Sequence, residues 1–376
     1  MKEVFKKFTT DGNNKELDFV LVFTLLILLC IGLIALSSAS SYTALVTQNN
    51  SNYYFIRQLA FAVVGVIAMF VISKIDYKIY EKYAYVIYGI ALLAMLLVFV
   101  PGLGSTVKGA RRWLDLGFIG FQPSELMKPA LAIAIAAYIN KNQNKMKHIT
   151  GYIVPVMMIL VVCVVMYFQS HMSGAIIMIV IGAITIYTSG FKLKKRTIVI
   201  ACIVAITAAA LFLFTSDYRM ERVKAFFNPE EDITGSNWQP TQSLYAIGSG
   251  GLFGTGMGQS RQKYLWLPES QNDFVFSIFA EEFGFVGSFI VILLFTLFIS
   301  RAIALILKSK DLFGLMMATG IIAMFAFQMI MNVAVVTKLI PTTGMPLPFF
   351  SYGGTSLLIN LASIGIVLNV TRQRRG

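Results

Sequence analysis

WLPESQNDFVFSIFAEEFG, residues 266–284, carries a polar, acidic segment straight into an apolar run. Asp273 is its last polar residue before the run, Glu269 stands four positions earlier, and Glu281 and Glu282 follow inside it. The chain holds only 18 acidic residues, so four of them here mark a place where charge meets an apolar helix.

The run continues to about residue 300, long enough to cross a hydrocarbon core of about 30 Å. Similar runs recur along all 376 residues, of which 57% are hydrophobic and 13% charged, against roughly 25% charged in a soluble domain. The runs are continuous rather than alternating, which excludes a membrane β-barrel. The reading is an all-α, polytopic membrane protein with about ten transmembrane helices, near 18–39, 58–75, 83–101, 125–140, 151–168, 172–189, 197–216, 274–300, 312–337 and 353–371. It is one transmembrane domain over 1–376, with a large extracellular loop, 217–273, between helices 7 and 8.

Charge sets the orientation. With both termini cytoplasmic, the inner segments 1–17, 74–82, 139–150, 190–196, 301–311 and 372–376 hold 20 of the 31 Lys and Arg residues. The net charge of +13 then faces anionic lipid, and no nucleic-acid partner is needed to account for it. The SSAS that ends the first run is read as part of a retained span rather than a cleavage site. Cys30, Cys163 and Cys202 fall inside spans as small packing residues. No internal repeat supports an inverted-repeat transporter, and no GxxxxGK[ST] supports nucleotide-driven chemistry.

The two long outer loops, 101–124 and 217–273, are where function is expected. In the first, Arg111 and Arg112 lie on the outer side against the charge trend. A guanidinium forks onto phosphate oxygens, so a diphosphate ligand or a lipid headgroup suits them, and Trp113 suits the membrane interface. Glu125 and Lys128 follow at i and i+3 on one face of a new helix, as a cavity-lining or a packing ion pair. His171 sits at a short outer turn, and with only two histidines a His-based metal site is excluded. GSGGLFGTGMG, 248–258, lacks a dinucleotide fingerprint and reads as a structural re-entrant loop. SGFK, 189–192, matches SxxK by chance, without the companion motifs of a transpeptidase.

Taken as a helix over 273–291, the opening stretch puts Asp273, Ser277, Ala280, Gly284 and Gly287 within roughly 40° of one line. Such a small-residue stripe admits a close neighbour, aims Asp273 at the bundle and places it in the first helical turn. Glu281 lies about 80° away and Glu282 on the opposite side, so both cannot share a site with Asp273.

Five segments together resemble one family: GARRWLDLG at 109–117, QPSELMK at 122–128, QSLYAIGSGGLFGTGMGQSRQK at 242–263, LPESQNDFVFSIFAEEFG at 267–284 and PTTGMPLPFFSYGGTSLLIN at 341–360. The chain resembles the SEDS family (shape, elongation, division, sporulation) nearly end to end, and its FtsW/SpoVE branch more than RodA. The resemblance implies a peptidoglycan glycosyltransferase that polymerises lipid II into glycan strands at the outer face of the bacterial cytoplasmic membrane, for division or sporulation. It implies a class B penicillin-binding protein transpeptidase as partner. It makes Asp273 the catalytic carboxylate, Glu125 and Lys128 a cavity pair, and Arg112 and Trp113 an Arg-Trp motif. Two positions depart from the family: Gln169-Ser170-His171 stands where Gln-Pro-Asp is usual, and Asn272 where Thr is usual.

The chemistry is consistent with one carboxylate. A lipid diphosphate already leaves well, so a single base for the acceptor hydroxyl and cations for the diphosphate suffice. Arg111, Arg112, Trp113, Glu125, Lys128, His171 and Glu269 are the expected substrate-binding set, with Glu269 placed to help hold a divalent cation, Mg²⁺ or Mn²⁺. Two other readings remain open: a lipid II flippase, which needs a polar path but no base, and a non-catalytic scaffold for the transpeptidase, which needs no Asp273.

Overall fold

The computed structural model describes residues 17–107, 110–115, 117, 120–190, 226, 237–309 and 311–373. Its helices are α1 (Phe19–Gln48), α2 (Tyr53–Ile72), α3 (Lys78–Lys82), α4 (Ala84–Leu97), α5 (Pro123–Lys141), α6 (Ile153–Phe168), α7 (Met172–Tyr187), α8 (Trp238–Ser249), α9 (Val275–Ile306), α10 (Leu312–Val336) and α11 (Gly354–Arg372). Nine of the ten expected spans correspond to α1, α2, α4–α7 and α9–α11, and the tenth, 197–216, lies outside the described residues. Among the described residues, six helical segments are individually long and apolar enough to cross a membrane. α5 is not among them because Ser124, Glu125, Lys128 and Asn140 lower its mean hydropathy. Its ALAIAIAA stretch is almost wholly buried, and the small side chains let α4, α7 and α10 pack close.

Local chemistry sets the helix ends. Asp18 caps α1 by accepting from the Leu21 amide at 3.1 Å, and Asp311 caps α10 by accepting from Gly314 at 2.6 Å. Pro123 occupies the first turn of α5, where its missing N–H has no partner to lose. α1 runs nine residues beyond its expected end. The hydroxyls of Ser41 and Thr47 bond back to the carbonyls of Ser38 and Thr43, so the polar tail stays helical until Asn49, in the left-handed conformation, ends it.

The 101–124 segment, expected as a loop, contains a three-stranded antiparallel sheet in the order β1 (Gly104–Val107), β2 (Ala110–Asp115), β3 (Gly120–Phe121). It lies at the end of the bundle where α1 meets α2, α4 leads to α5, α6 turns into α7 and α10 leads to α11. The opposite end carries Lys74, Lys78, Lys82, Lys141, Lys145, Lys147, Arg301, Lys308 and Arg372.

Two irregular segments shape the first end. Residues 341–353 re-enter the bundle and bury Met345, Leu347, Phe349 and Phe350 among the rings of Phe295, Phe298 and Phe325, with Phe325 stacked on Phe349 at 5.5 Å. Gly32 on α1 makes room for this: a Cβ there would stand 2.4 Å from the Phe349 carbonyl oxygen. The second irregularity is in α9, which is not the straight helix the sequence implied. It starts at Val275 and is broken at Gly284, whose φ of 68° and ψ of −165° lie outside the helical region. The glycine-rich stretch after α8 repairs the break. Thr255 and Gly256 donate to the carbonyls of Glu281 and Glu282, and Phe285 and Val286 donate to those of Gly251 and Leu252, all at 2.8–3.0 Å. An apolar surrounding requires that freed backbone groups be paired within the protein, and these four bonds do that.

Candidate active site

A cavity of about 600 Å³ opens between the helix ends and the sheet. Its charged lining is Arg57 on α2, Arg112 on β2, Glu125 and Lys128 on α5, and Glu269 and Asp273 ahead of α9. Trp113, His171 and Asn272 also line it. Seven of the eight residues expected from the sequence therefore meet in one place. Arg111 does not: it is exposed and outside the lining, and the β1–β2 pairing shifts register at Arg112, so both Arg112 and Trp113 reach the cavity while Arg111 does not.

Asp273 is not in the first helical turn, as the helical projection had it, but in the turn before α9. Its backbone carbonyl accepts from Asn332 Nδ2 at 2.8 Å, and the same Nδ2 lies 2.8 Å from the Met345 carbonyl, so one side chain ties the turn, α10 and the re-entrant segment together. A Cβ at Gly344 would lie 3.5 Å from Asp273 Oδ2, which places the carboxylate against that segment. The Tyr352 amide donates to the Gln271 carbonyl at 2.9 Å and closes the contact. Glu269 has a φ of 59°, in the left-handed region that non-glycine residues rarely adopt, and its carboxylate accepts from Asn272 Nδ2. The stripe of Ser277 and Ala280 does admit a close neighbour, but that neighbour is α8: Ser243 and Ser277 share a hydrogen bond of 2.7 Å. The projection loses its phase beyond Gly284, where the helix breaks.

Glu125 and Lys128 are both nearly inaccessible and pair at 2.6 Å, and Ser356 donates to the other Glu125 oxygen at 2.7 Å. Arg112 donates to the Ser170 carbonyl, and Gln169 Nε2 donates to the Met95 carbonyl at 2.8 Å, so the α6–α7 turn is held from both sides. The His171 imidazole is buried. That burial, and then the charges of Arg112 and Lys128, hold its pKa well below the ordinary range, so it is neutral at neutral pH.

Glu281 and Glu282 are absent from this lining. Glu281 accepts from Ser260 Oγ and from the amides of Arg261 at 2.8 Å and Gln262 at 3.4 Å. Glu282 accepts from Ser38 Oγ at 2.6 Å and pairs with the buried Lys263 at 3.1 Å. They tie the 258–263 segment to α1 and α9. Sequence reasoning missed Arg57, Gln328 and Asn360 on the cavity wall. Each is a charged or carboxamide side chain within a mostly apolar helix, and such groups are costly in a membrane unless they face a cavity or a partner. Among the described residues, no group of three or more His, Cys, Asp or Glu side chains forms a metal site. Two carboxylates on one cavity, Glu269 and Asp273, nevertheless fit the one- or two-carboxylate anchoring that Mg²⁺ uses when phosphates supply the rest.

A helical bundle with a mixed-charge cavity at one end defines a multi-pass membrane protein with a polar chamber at the membrane surface. The family of cell cycle proteins FtsW, RodA and SpoVE matches residues 19–376, and the chain belongs to it. It is 38% identical to a probable peptidoglycan glycosyltransferase FtsW of Trichlorobacter lovleyi, over 95% of this chain and 93% of that one. It is also 38% identical to stage V sporulation protein E of Bacillus subtilis, over 95% and 98%. Among solved structures it is similar to a chain of a peptidoglycan synthase complex that coordinates polymerization and crosslinking, at 27% identity and a TM-score of 0.78, over 95% and 98% of the two chains. The rod shape determining protein RodA of Thermus thermophilus matches at 28% identity and a TM-score of 0.71, over 97% and 100%.

Proposed function

We propose that this chain is a peptidoglycan glycosyltransferase that polymerises lipid II, with Asp273 as the general base. The observation that carries the reading is the shared cavity: the Asp273 carboxylate lines the same chamber as Arg57, Arg112 and Lys128. In the proposed reaction the acceptor sugar hydroxyl attacks the anomeric carbon of the donor, its proton passes to Asp273, and the bond to the lipid diphosphate breaks. Arg112 holds the departing charge, aided by Arg57 on another wall. Lys128 contributes less, because its ammonium is shared with Glu125. His171, neutral, hydrogen-bonds the substrate without adding charge, and Trp113 supplies an aromatic face to the sugar. A divalent cation, if bound, would be held by Glu269 together with substrate phosphates and would offset diphosphate charge, which leaves Asp273 as the base. The relatives named as glycosyltransferases support the activity.

The cavity faces outward from the cytoplasmic membrane in this reading, because the Lys- and Arg-rich end of the bundle belongs inside. Thiol labelling of intact cells should mark Asn50→Cys at the cavity end and spare Gln143→Cys at the other. The class B penicillin-binding protein transpeptidase is the proposed partner, in line with the synthase complex among the similar structures. A flippase would need a polar path onward, and the rings of Phe295, Phe298, Phe325 and Phe350 fill the bundle next to the re-entrant segment. The test is incubation of the purified protein with lipid II, with and without a class B partner, and separation of products on a gel. Glycan strands are expected, and none in either arm would overturn the reading.

A further inference from the structure

We infer that the floor of the cavity is a carboxamide subsite in which Gln328 and Asn360 recognise the sugar portion of the substrate rather than its phosphates. The inference rests on the lipid-linked sugar reading above.

Gln328 lies on α10 eight residues before its end at Val336, about 12 Å down the helix axis, and Asn360 lies about 9 Å into α11. Both line the cavity, at 2% and 4% exposure, and His171 lines it at 8%. Among the described residues, Gln328 Oε1, Asn360 Oδ1 and His171 Nδ1 have no hydrogen-bond partner. A buried carboxamide with unmet hydrogen bonds destabilises a helical bundle relative to a leucine of similar volume. Two of them, together with a neutral imidazole, around one chamber form a binding surface that the fold itself does not require.

The chemistry of this surface selects the ligand. Glu125 and Lys128, which also line the cavity, pair with each other at 2.6 Å. Carboxamides donate and accept from the same terminus, and a neutral imidazole does likewise from its two nitrogens. A diphosphate offers acceptors only and is matched by guanidinium groups such as Arg57 and Arg112. Sugar hydroxyls and N-acetyl groups offer donors and acceptors together, which is what this surface can pair. The cavity thus divides by chemistry: cations for the phosphates, amides and imidazole for the sugar. Gln328 and Asn360 become specificity-determining residues, because a sugar lacking a matched hydroxyl or acetamido group leaves their polar atoms buried and unpaired.

The experiment compares two ligands on one set of variants. Lipid II carries the sugar, and farnesyl diphosphate carries an isoprenoid diphosphate without one. For Gln328→Leu and Asn360→Leu, affinity for lipid II should fall about tenfold or more, affinity for farnesyl diphosphate should stay at the wild-type value, and Tm should hold or rise. Arg112→Met should weaken both ligands. Equal loss for both ligands in the leucine variants would show a collapsed cavity and overturn the inference, as would an unchanged affinity for lipid II. If wild type polymerises lipid II while the leucine variants bind it normally, only this inference falls. If wild type neither binds nor polymerises it, the functional reading falls as well.

Discussion

Asp273 and the Glu281–Glu282 pair come from one stretch of ten residues, yet they occupy opposite surroundings. Glu281 and Glu282 are 1% and 2% exposed and saturated by Ser38, Ser260, Lys263 and backbone amides. Asp273 lines a chamber shared with cations and held open by a re-entrant segment. A carboxylate whose lone pairs are filled by its own fold is fixed in place. One that lines a cavity can also be reached by a ligand there. The difference lies in the break at Gly284, which brings the 250–263 segment onto the two glutamates and leaves the turn before α9 uncovered.

The largest expected effect falls on the cavity side of this contrast. General base catalysis typically contributes about 10²–10⁴-fold, so Asp273→Asn should lose polymerisation by at least ~100-fold. Lipid II binding, membrane insertion and co-purification with the transpeptidase should persist. On the other side, Lys263→Met leaves the Glu282 carboxylate buried without its cation. Breaking a buried pair in this way costs about 3–5 kcal/mol, and thermal unfolding in detergent should register it as a clear fall in Tm. Glycan synthesis per folded molecule should change far less than in Asp273→Asn.

Two smaller effects sharpen the picture within the cavity. Losing one charged contact costs about 1.5–3 kcal/mol, so Arg112→Met should weaken lipid II binding roughly ten- to hundredfold, whereas Arg111→Met, exposed and outside the lining, should leave it unchanged. A binding titration of both variants checks this. His171 gives a pH signature. Its folded pKa is depressed, so the unfolded chain takes up the proton first, and stability is lost as pH falls below the ordinary value near 6.5. Between pH 7 and 5 this amounts to about 2 kcal/mol at most. His171→Asn should flatten that part of the Tm profile.

The bundle was legible in the sequence because continuous apolar length is a strong signal, Glu125 and Lys128 because ionisable groups at a span entrance are rare, and Arg112, Glu269 and Asp273 because they stand in segments that resemble the family. Three features were not. The sheet at 104–121 has strands of only four, six and two residues, too short for alternation to show. Gly284 lies inside an apolar run, where a glycine reads as a packing residue, and only the observed φ of 68° reveals the break. Arg57 falls just outside the span expected near 58–75, whereas α2 begins at Tyr53 and carries Arg57 one turn inside, with its guanidinium 2.6 Å from the Tyr53 hydroxyl.

The most direct measurement places both kinds of carboxylate in one assay. Wild type, Asp273→Asn and Glu282→Gln, each purified with a class B partner, are given lipid II, and product on a gel and Tm are recorded for the same samples. The account predicts that Asp273→Asn keeps its Tm and loses product by ~100-fold or more. It predicts that Glu282→Gln loses Tm and, below its melting temperature, still makes strands. Polymerisation by Asp273→Asn at the wild-type rate would contradict the account and leave Glu269 as the carboxylate to test next.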